Sequence, residues 1–561
     1  MNLFYEASLF IFSALLLSAP LWAHFFQTIG GHALFLQADS LVLLGLTFFV
    51  GLLSKRLLPN QLPGWVNSLF RFVRSRFAIV SVVFLLSLLL GLYAINQHIL
   101  HACMNSGDEH SCYFLAECIR SGKWWATPHP LPEFFDVVHV GNKGGKWFSV
   151  YPPGWPLLFA LGLQLKIANW TNPLLTIASI PFLFKVGEKI FGFSAACFGI
   201  FFTSLTPFFL FNGASYFSHS TALLTIAIFL YAYLKWREKR SSFWAGLSAF
   251  ALGYGLGTRY LTTAALGMPF LVYELIQVIF KRKQFGKDHL VFGFILTVML
   301  FLNLYYNYLI TGNFFDAPNH YYHRWERLGF HGNYTFLDAL SFVVARFCLL
   351  MQWISPVFLV LYLISLLKKG EGNIQQTLFR YAFFYLVVAF MFYYSWGGNQ
   401  YGPRYYLEGL PFLGLSVGDA VKRWWNNGTI VTKKFLGGLI IASVLGNGYL
   451  MAKQGIYFHI ATTERKALFV LAEKEIHSPS IVFIHGFLGD KLIMAEEDAV
   501  RNHPNLNTTI LYAHDLGSQK NEALINFYSN RTYYLGTYDR TAKQAHLEPL
   551  KREVLSHVTL R

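Results

Sequence analysis

The sequence predicts a mainly α-helical, polytopic membrane protein with roughly thirteen transmembrane helices and a small α/β domain at its C-terminal end, outside the membrane. Three observations predict it. The 561 residues are 54% hydrophobic and 18% aromatic but only 13% charged, whereas a soluble chain carries about a quarter charged residues. Apolar runs long enough to span roughly 30 Å of hydrocarbon recur from the N-terminus to about residue 453, and mean hydropathy is +0.40. From about Gly455 onward, charged and polar residues are spread throughout and no such run occurs.

Taken in order, the first apolar run covers about 5 to 27 and the second 37 to 54. The first has an acidic Glu6 and no basic flank, so it reads as a span and not as a cleaved signal peptide. Lys55, Arg56, Arg71, Arg74 and Arg76 follow with no acid among them, which places residues 55–76 in the cytoplasm and the N-terminus with them. Residues 1–76 thus form an N-terminal unit of two spans and a basic loop. The run 77–97 then exits, so the loop at 98–153 is external.

Further spans are expected at about 172–190, 193–213, 216–234, 242–257, 261–280, 288–310, 341–367, 376–396, 404–421 and 434–453. They place Lys235–Arg240, Lys281–Lys287, Lys368–Lys369 and Lys422–Lys434 on the cytoplasmic side. This requires the short run 154–168, which begins after Pro152 and Pro153, to lie at the outer interface. The net charge of +16 gathers in these loops, which excludes nucleic acid as a partner. In the tail, 455–561, Ile481–Ile484, Thr509–Tyr512 and Thr532–Leu535 read as strands, and Asn521–Tyr528 as a helix.

Polar chemistry concentrates in the external loop. It opens GDEHSCYFLAECIRSGKWW, with Asp108 and Glu109 adjacent, and closes GGKWFSVYPPGWP. Cys103, Cys112 and Cys118 lie in or beside it and leave any disulfide pairing undetermined. Two other external segments are rich in aromatic residues: 311–340, containing His320 and Tyr321, and 395–408, containing Arg404. Such rings serve as interface anchors or as platforms for sugar stacking. G-x-S-x-G at 414–418 sits in an apolar span without a strand and elbow turn, so it is not a hydrolase nucleophile. VFIHGFLGD at 482–490 has no elbow to serve either.

The acidic pair, WFSVYPPGWPLLFALG, GTRY at 257–260, YNYLITGNFF at 306–315 and YGPRYYLEGLPFL at 401–413 occur in this order. Over about residues 77–450 the chain thereby resembles the GT-C membrane glycosyltransferases. Within them it resembles the family 39, dolichyl-phosphate-mannose protein mannosyltransferase-like group that includes lipid A aminoarabinose transferases. The resemblance implies a GT-C-like catalytic domain at 77–454 and a polyprenyl-phosphate-linked sugar donor. It also implies inverting transfer of a hexose or pentose, on the outer face, to a lipid, glycan or protein acceptor in the bilayer of a bacterial inner membrane. Asp108 then matches the catalytic aspartate, and Glu109 orients the acceptor or binds a metal.

For the donor phosphate, Arg259 and Arg404 are the candidates because a guanidinium matches phosphate with a bidentate fork. An arginine placed between apolar runs also needs a turn or a partner. Lys146 is a further candidate, with a solvated loop lysine as its plain alternative. Tyr151, Trp155, His320 and Tyr321 are candidate acceptor or sugar contacts, although Tyr151 and Trp155 flank a Pro-Pro pair that has its own structural use. A divalent metal ion, held by Asp108, Glu109 and His139, is a cofactor that carboxylate and imidazole allow, but no compact ligand spacing accompanies it. A transporter or flippase of a lipid-linked sugar is the alternative function.

Overall fold

The computed structural model describes residues 38–59, 64–280, 284–324, 327–332, 334–367, 374–398, 400–485, 500–539 and 541–550. The expected span at 5–27 and the cations Lys281–Lys283, Lys368 and Lys369 lie outside the described residues. Helices α1 (Ala38–Leu57), α2 (Gly64–Ser75) and α3 (Phe77–Ala94) come first, and α3 ends in a π-turn at Ile95–Ile99. Residues 98–153 then fold into α4 (Gly107–Arg120) and a hairpin of β1 (Val140–Lys143) and β2 (Lys146–Ser149). A helical body follows: α5 (Gly154–Gln164), α6 (Ala168–Phe191), α7 (Phe193–Ser204), α8 (Pro207–Ala214), α9 (His219–Lys239), α10 (Ser242–Leu256), α11 (Tyr260–Ile279) and α12 (Lys287–Thr311). It continues through α13 (Pro318–Tyr322), α14 (Phe336–Leu350), α15 (Pro356–Leu367), α16 (Ile374–Arg380), α17 (Ala382–Ala389), α18 (Leu410–Asn427) and α19 (Ile430–Glu475).

The tail forms β3 (Ser480–Ile484), β4 (Ile510–His514), α20 (Ser518–Phe527), β5 (Thr532–Asp539) and β6 (Gln544–Pro549). Its sheet runs β4-β3-β5-β6, with β3 parallel to both β4 and β5 and with β6 antiparallel on the edge. Three of the four strands and the helix are those expected. β6 alternates half-buried and exposed positions along QAHLEP, a weak apolar pattern of the kind an edge strand shows.

Four helices among the described residues are long and apolar enough to cross a membrane, or six if each of two bent pairs counts as one span. α12 exposes Leu290, Phe294 and Phe301, and α3 exposes Ile79, Val83, Leu86 and Leu90. That much contiguous apolar surface calls for lipid. Several expected spans are broken helices. The run 193–213 bends by 64° where Thr206 caps α8 and Pro207 starts it. The run 376–396 falls on the second bent pair, with 49° between α16 and the helix after it, and 341–367 is divided between α14 and α15.

The G-x-S-x-G motif is a helix-crossing seam. A Cβ on Gly199 of α7 would lie 2.6 Å from the Gly414 carbonyl oxygen, and one on Gly418 2.3 Å from that of Ala195. Small residues here let two backbones touch. Helix α19 is 46 residues long, roughly 70 Å at 1.5 Å per residue, more than twice a hydrocarbon core. It runs unbroken through the expected 454/455 boundary, and its last turns bury Leu468 and Ala472 within the core of the tail.

Candidate active site

Asp108 sits in the first turn of α4. Ser106 caps this helix, its Oγ accepting from the Glu109 amide at 3.3 Å, and the helix N-terminus favours negative charge. Across 296 residues of sequence, Arg404 Nη2 reaches Asp108 Oδ2 at 3.0 Å. The Tyr151 hydroxyl donates to the other oxygen, Oδ1. Burial opposes the charge on Asp108, but the Arg404 guanidinium, with His139 and the Tyr151 hydroxyl, outweighs it and holds the carboxyl well below the usual range. Arg404 is brought there by a tight turn. Gly402 has φ +84°, a Cβ on it would lie 2.9 Å from the Trp353 ring, and its carbonyl accepts from the Arg404 amide at 2.8 Å. The guanidinium then lies 4.5 Å from the centroid of Phe217.

A second charged group lies beside the first. Arg259, at the start of α11, places Nε 3.3 Å from Glu408 Oε1 and Nη1 3.3 Å from Ser218 Oγ. The same Glu408 oxygen is 2.9 Å from His219 Nδ1, and neither side chain is exposed. GTRY is anchored to the start of α5 where the Gly154 amide donates to the Gly257 carbonyl at 2.9 Å. A Cβ on Gly154 would lie 2.2 Å from Thr258 Oγ1, so the site's two sequence segments meet backbone to backbone. Arg404 Nε, Glu408 Oε2 and His219 Nε2 are buried without a hydrogen-bond partner among the described residues, a costly state for polar atoms.

Residues 151–306 match the family model of dolichyl-phosphate-mannose-protein mannosyltransferases. Among solved structures, the chain superposes on apo ArnT from Cupriavidus metallidurans with a TM-score of 0.51 at 14% identity, covering 83% of this chain and 94% of that one. The chain has the GT-C fold. ArnT from the same organism bound to undecaprenyl phosphate matches with a TM-score of 0.49 at 13% identity, over 82% of this chain and 93% of that one. The Archaeoglobus fulgidus oligosaccharyltransferase in complex with Zn and sulfate gives 0.44 at 10% identity, over 80% and 68%. No curated protein matches the sequence.

Within this GT-C fold the remaining candidates scatter. Glu109 is fully buried; Oε2 accepts from the Asn105 amide at 2.5 Å and Oε1 from the Tyr216 amide at 2.8 Å. Burial pushes its carboxyl up to about 7 against these two amides. Both Glu109 oxygens face backbone amides, whereas the Asp108 carboxylate faces Arg404 and Tyr151. Among the described residues no group of three or more His, Cys, Asp or Glu is arranged to hold one. His139 stands beside Tyr151, ring centroids 5.7 Å apart.

Trp155 is fully buried, stacks on Phe159 and donates from Nε1 to the Tyr216 carbonyl at 2.9 Å. It is wedged in the protein, not laid along an open groove. Lys146 donates to the carbonyls of Leu309 (2.6 Å) and Ile310 (3.2 Å) and covers Trp125, so it caps the C-terminal end of α12. His320 pairs with Asp316 at 2.8 Å. Tyr321 lies over the β-hairpin, its ring 4.2 Å from Lys143 Nζ. Cys103, Cys112 and Cys118 are free, buried thiols. Glu408 and His219 are not among the sequence-predicted site residues. The one signal for Glu408 was its position four residues after Arg404 in an otherwise apolar stretch.

Proposed function

We propose that the protein is a membrane glycosyltransferase that moves a hexose or pentose from a polyprenyl-phosphate carrier to a lipid, glycan or protein acceptor. The reaction takes place on the outer face of a bacterial inner membrane and inverts the anomeric carbon. One observation carries this reading: a half-buried carboxylate and a buried guanidinium 296 residues apart in sequence meet at 3.0 Å, on the first turn of a helix outside the apolar spans. The match of residues 151–306 to the dolichyl-phosphate-mannose-protein mannosyltransferase family model supports the donor class.

In the proposed reaction, an acceptor hydroxyl attacks the anomeric carbon, the bond from that carbon to the carrier's phosphate breaks, and the hydroxyl proton passes to Asp108. The leaving polyprenyl phosphate takes the bond's electrons and is stabilised by Arg259 and Arg404. The Asp108–Arg404 pair makes the two events interdependent. Donor phosphate competes for Arg404, and as the guanidinium turns toward it the aspartate becomes a better base. Tyr151 holds the carboxylate in line, and Glu408 with His219 orients Arg259. Glu109 is a positioning residue. The topology that goes with this has roughly thirteen crossings, the N-terminus in the cytoplasm and the tail outside.

A flippase would place its polar groups near the midplane between repeated halves. The charged groups here lie on an external helix and at helix ends, which favours transfer chemistry. The test uses purified protein, lipid-linked sugar extracted from the source membranes, and envelope extract as acceptor. Free polyprenyl phosphate is released by the parent and not by a folded Asp108→Asn variant; undiminished turnover in that variant removes the proposal.

A further inference from the structure

The segment leading into α4 is tied to α19 and the tail, most densely at Asn105. Asn105 is 2% exposed, and its backbone and side chain both have several partners. Its amide donates to Glu109 Oε2 at 2.5 Å, next door to Asp108. Its Nδ2 donates to the Tyr401 hydroxyl at 2.8 Å, three residues before Arg404, and its carbonyl accepts from Gln400 Nε2 at 3.3 Å. From the other side come two residues of the polar half of α19. Thr462 Oγ1 donates to Asn105 Oδ1 at 3.2 Å, and Arg465 Nη1 donates to both the carbonyl and Oδ1 of Asn105. Thr462 is 0% exposed and Arg465 6%.

Neighbouring contacts repeat the pattern. Lys466 Nζ donates to the His101 carbonyl at 2.8 Å, and Arg501, from the segment before β4, donates to the Met104 carbonyl. The stretch they hold contains two consecutive non-glycine residues with left-handed backbone, His101 (φ 49°) and Ala102 (φ 50°). Such a conformation persists only when its surroundings hold it.

We infer that Asn105 is a junction through which α19 and the tail domain set the position of both halves of the Asp108–Arg404 pair, so that Thr462 and Arg465 are positioning residues for transfer. This rests on the proposed role of Asp108. One residue bonds the first turn of the carboxylate's helix through its backbone amide and the segment carrying the guanidinium through its side chain. The helix that grips it is continuous from the membrane into the sheet of the tail. A misplacement of about 1 Å at a reacting group costs on the order of a hundredfold in rate, so the contact acts on turnover before it acts on carrier binding. The C-terminal domain thereby acquires a function: it completes the active site from outside the catalytic body.

The test compares Thr462→Val, Arg465→Met and Arg465→Lys in the full-length protein. It measures turnover, thermal midpoint, and equilibrium binding of undecaprenyl phosphate as the probe. Expected are a threefold to tenfold loss of turnover in Thr462→Val, a loss of at least tenfold in Arg465→Met, recovery to within threefold of the parent in Arg465→Lys, and probe binding within twofold throughout. Parental turnover in Thr462→Val and Arg465→Met overturns the inference. So does loss of probe binding in step with turnover, or unfolding of both variants, because the contact would then be structural alone. If only Arg465→Met fails to fold, Thr462→Val decides. Asp108→Asn run alongside separates the two proposals: if it is active, the reading of Asp108 fails; if it is inactive while the α19 variants behave as the parent, only the junction fails.

Discussion

Replacing Arg404 by Gln tests the pair at the centre of the site. Asp108 and Arg404 are 3.0 Å apart with side chains 20% and 9% exposed, and removing one partner of a buried pair costs about 3–5 kcal/mol by stranding the other's charge. Arg404→Gln should therefore lower the thermal midpoint clearly. Neutralising the stranded carboxylate should restore part of the loss, leaving Asp108→Asn/Arg404→Gln about 1–2 kcal/mol more stable than Arg404→Gln alone. For turnover, removing one charged donor to the leaving phosphate should cost about 10²–10³-fold. The assays are tryptophan-monitored melting in detergent and release of polyprenyl phosphate from lipid-linked sugar. Additive destabilisation across the cycle, or parental turnover in Arg404→Gln, refutes the reasoning.

Three further outcomes follow from the geometry. Unfolded, Glu109 titrates near 4.5, and burial pushes it up to about 7 in the fold. Between those values the folded protein holds the extra proton, so the Glu109 contribution to stability falls as pH rises from about 4.5 to about 7, by at most about 1.4 kcal/mol per unit, and is level outside that window. The stability difference between parent and Glu109→Gln, followed against pH, should show this slope; a flat difference contradicts it. Arg259→Ala should weaken undecaprenyl phosphate binding at least tenfold, about 1.4 kcal/mol, read by equilibrium titration; unchanged affinity would leave Arg259 as a partner of Glu408 only. Trp155→Ala should destabilise by about 3–5 kcal/mol while the folded fraction keeps turnover within threefold, read by melting and active-site titration.

Composition announced a membrane protein because apolar residues so outnumber charges, and the order of five short motifs pointed to Asp108 and Arg404. What composition could not supply was how many apolar runs cross as single helices, since Thr206-Pro207 and the break between Arg380 and Ala382 bend runs that read as continuous. Two elements between α3 and α5 were legible in principle. Ser106 followed three residues later by Glu109 has the spacing of a capping box, although Glu109 reaches past Ser106 to the Asn105 amide. Lys143-Gly-Gly-Lys146 is a two-residue hairpin turn with φ of 62° and 71° at its glycines. The partners of each charge were not legible. Glu408 pairs with Arg259 and His219, and Asn105 with Thr462 and Arg465, only because helices far apart in sequence pack together. Trp155 and Lys146 each carried a ligand reading and a structural one; Trp155 is buried with its Nε1 on the Tyr216 carbonyl, and Lys146 reaches the carbonyls of Leu309 and Ile310.

The central claim is that carrier phosphate enters between Arg259 and Arg404 and displaces the aspartate from the latter. An experimental structure of the protein with undecaprenyl phosphate tests it most directly. Phosphate oxygens should lie within hydrogen-bond distance of both guanidinium groups, with an Asp108–Arg404 separation longer than 3.0 Å. Phosphate bound away from both arginines, with that ion pair intact, would contradict it.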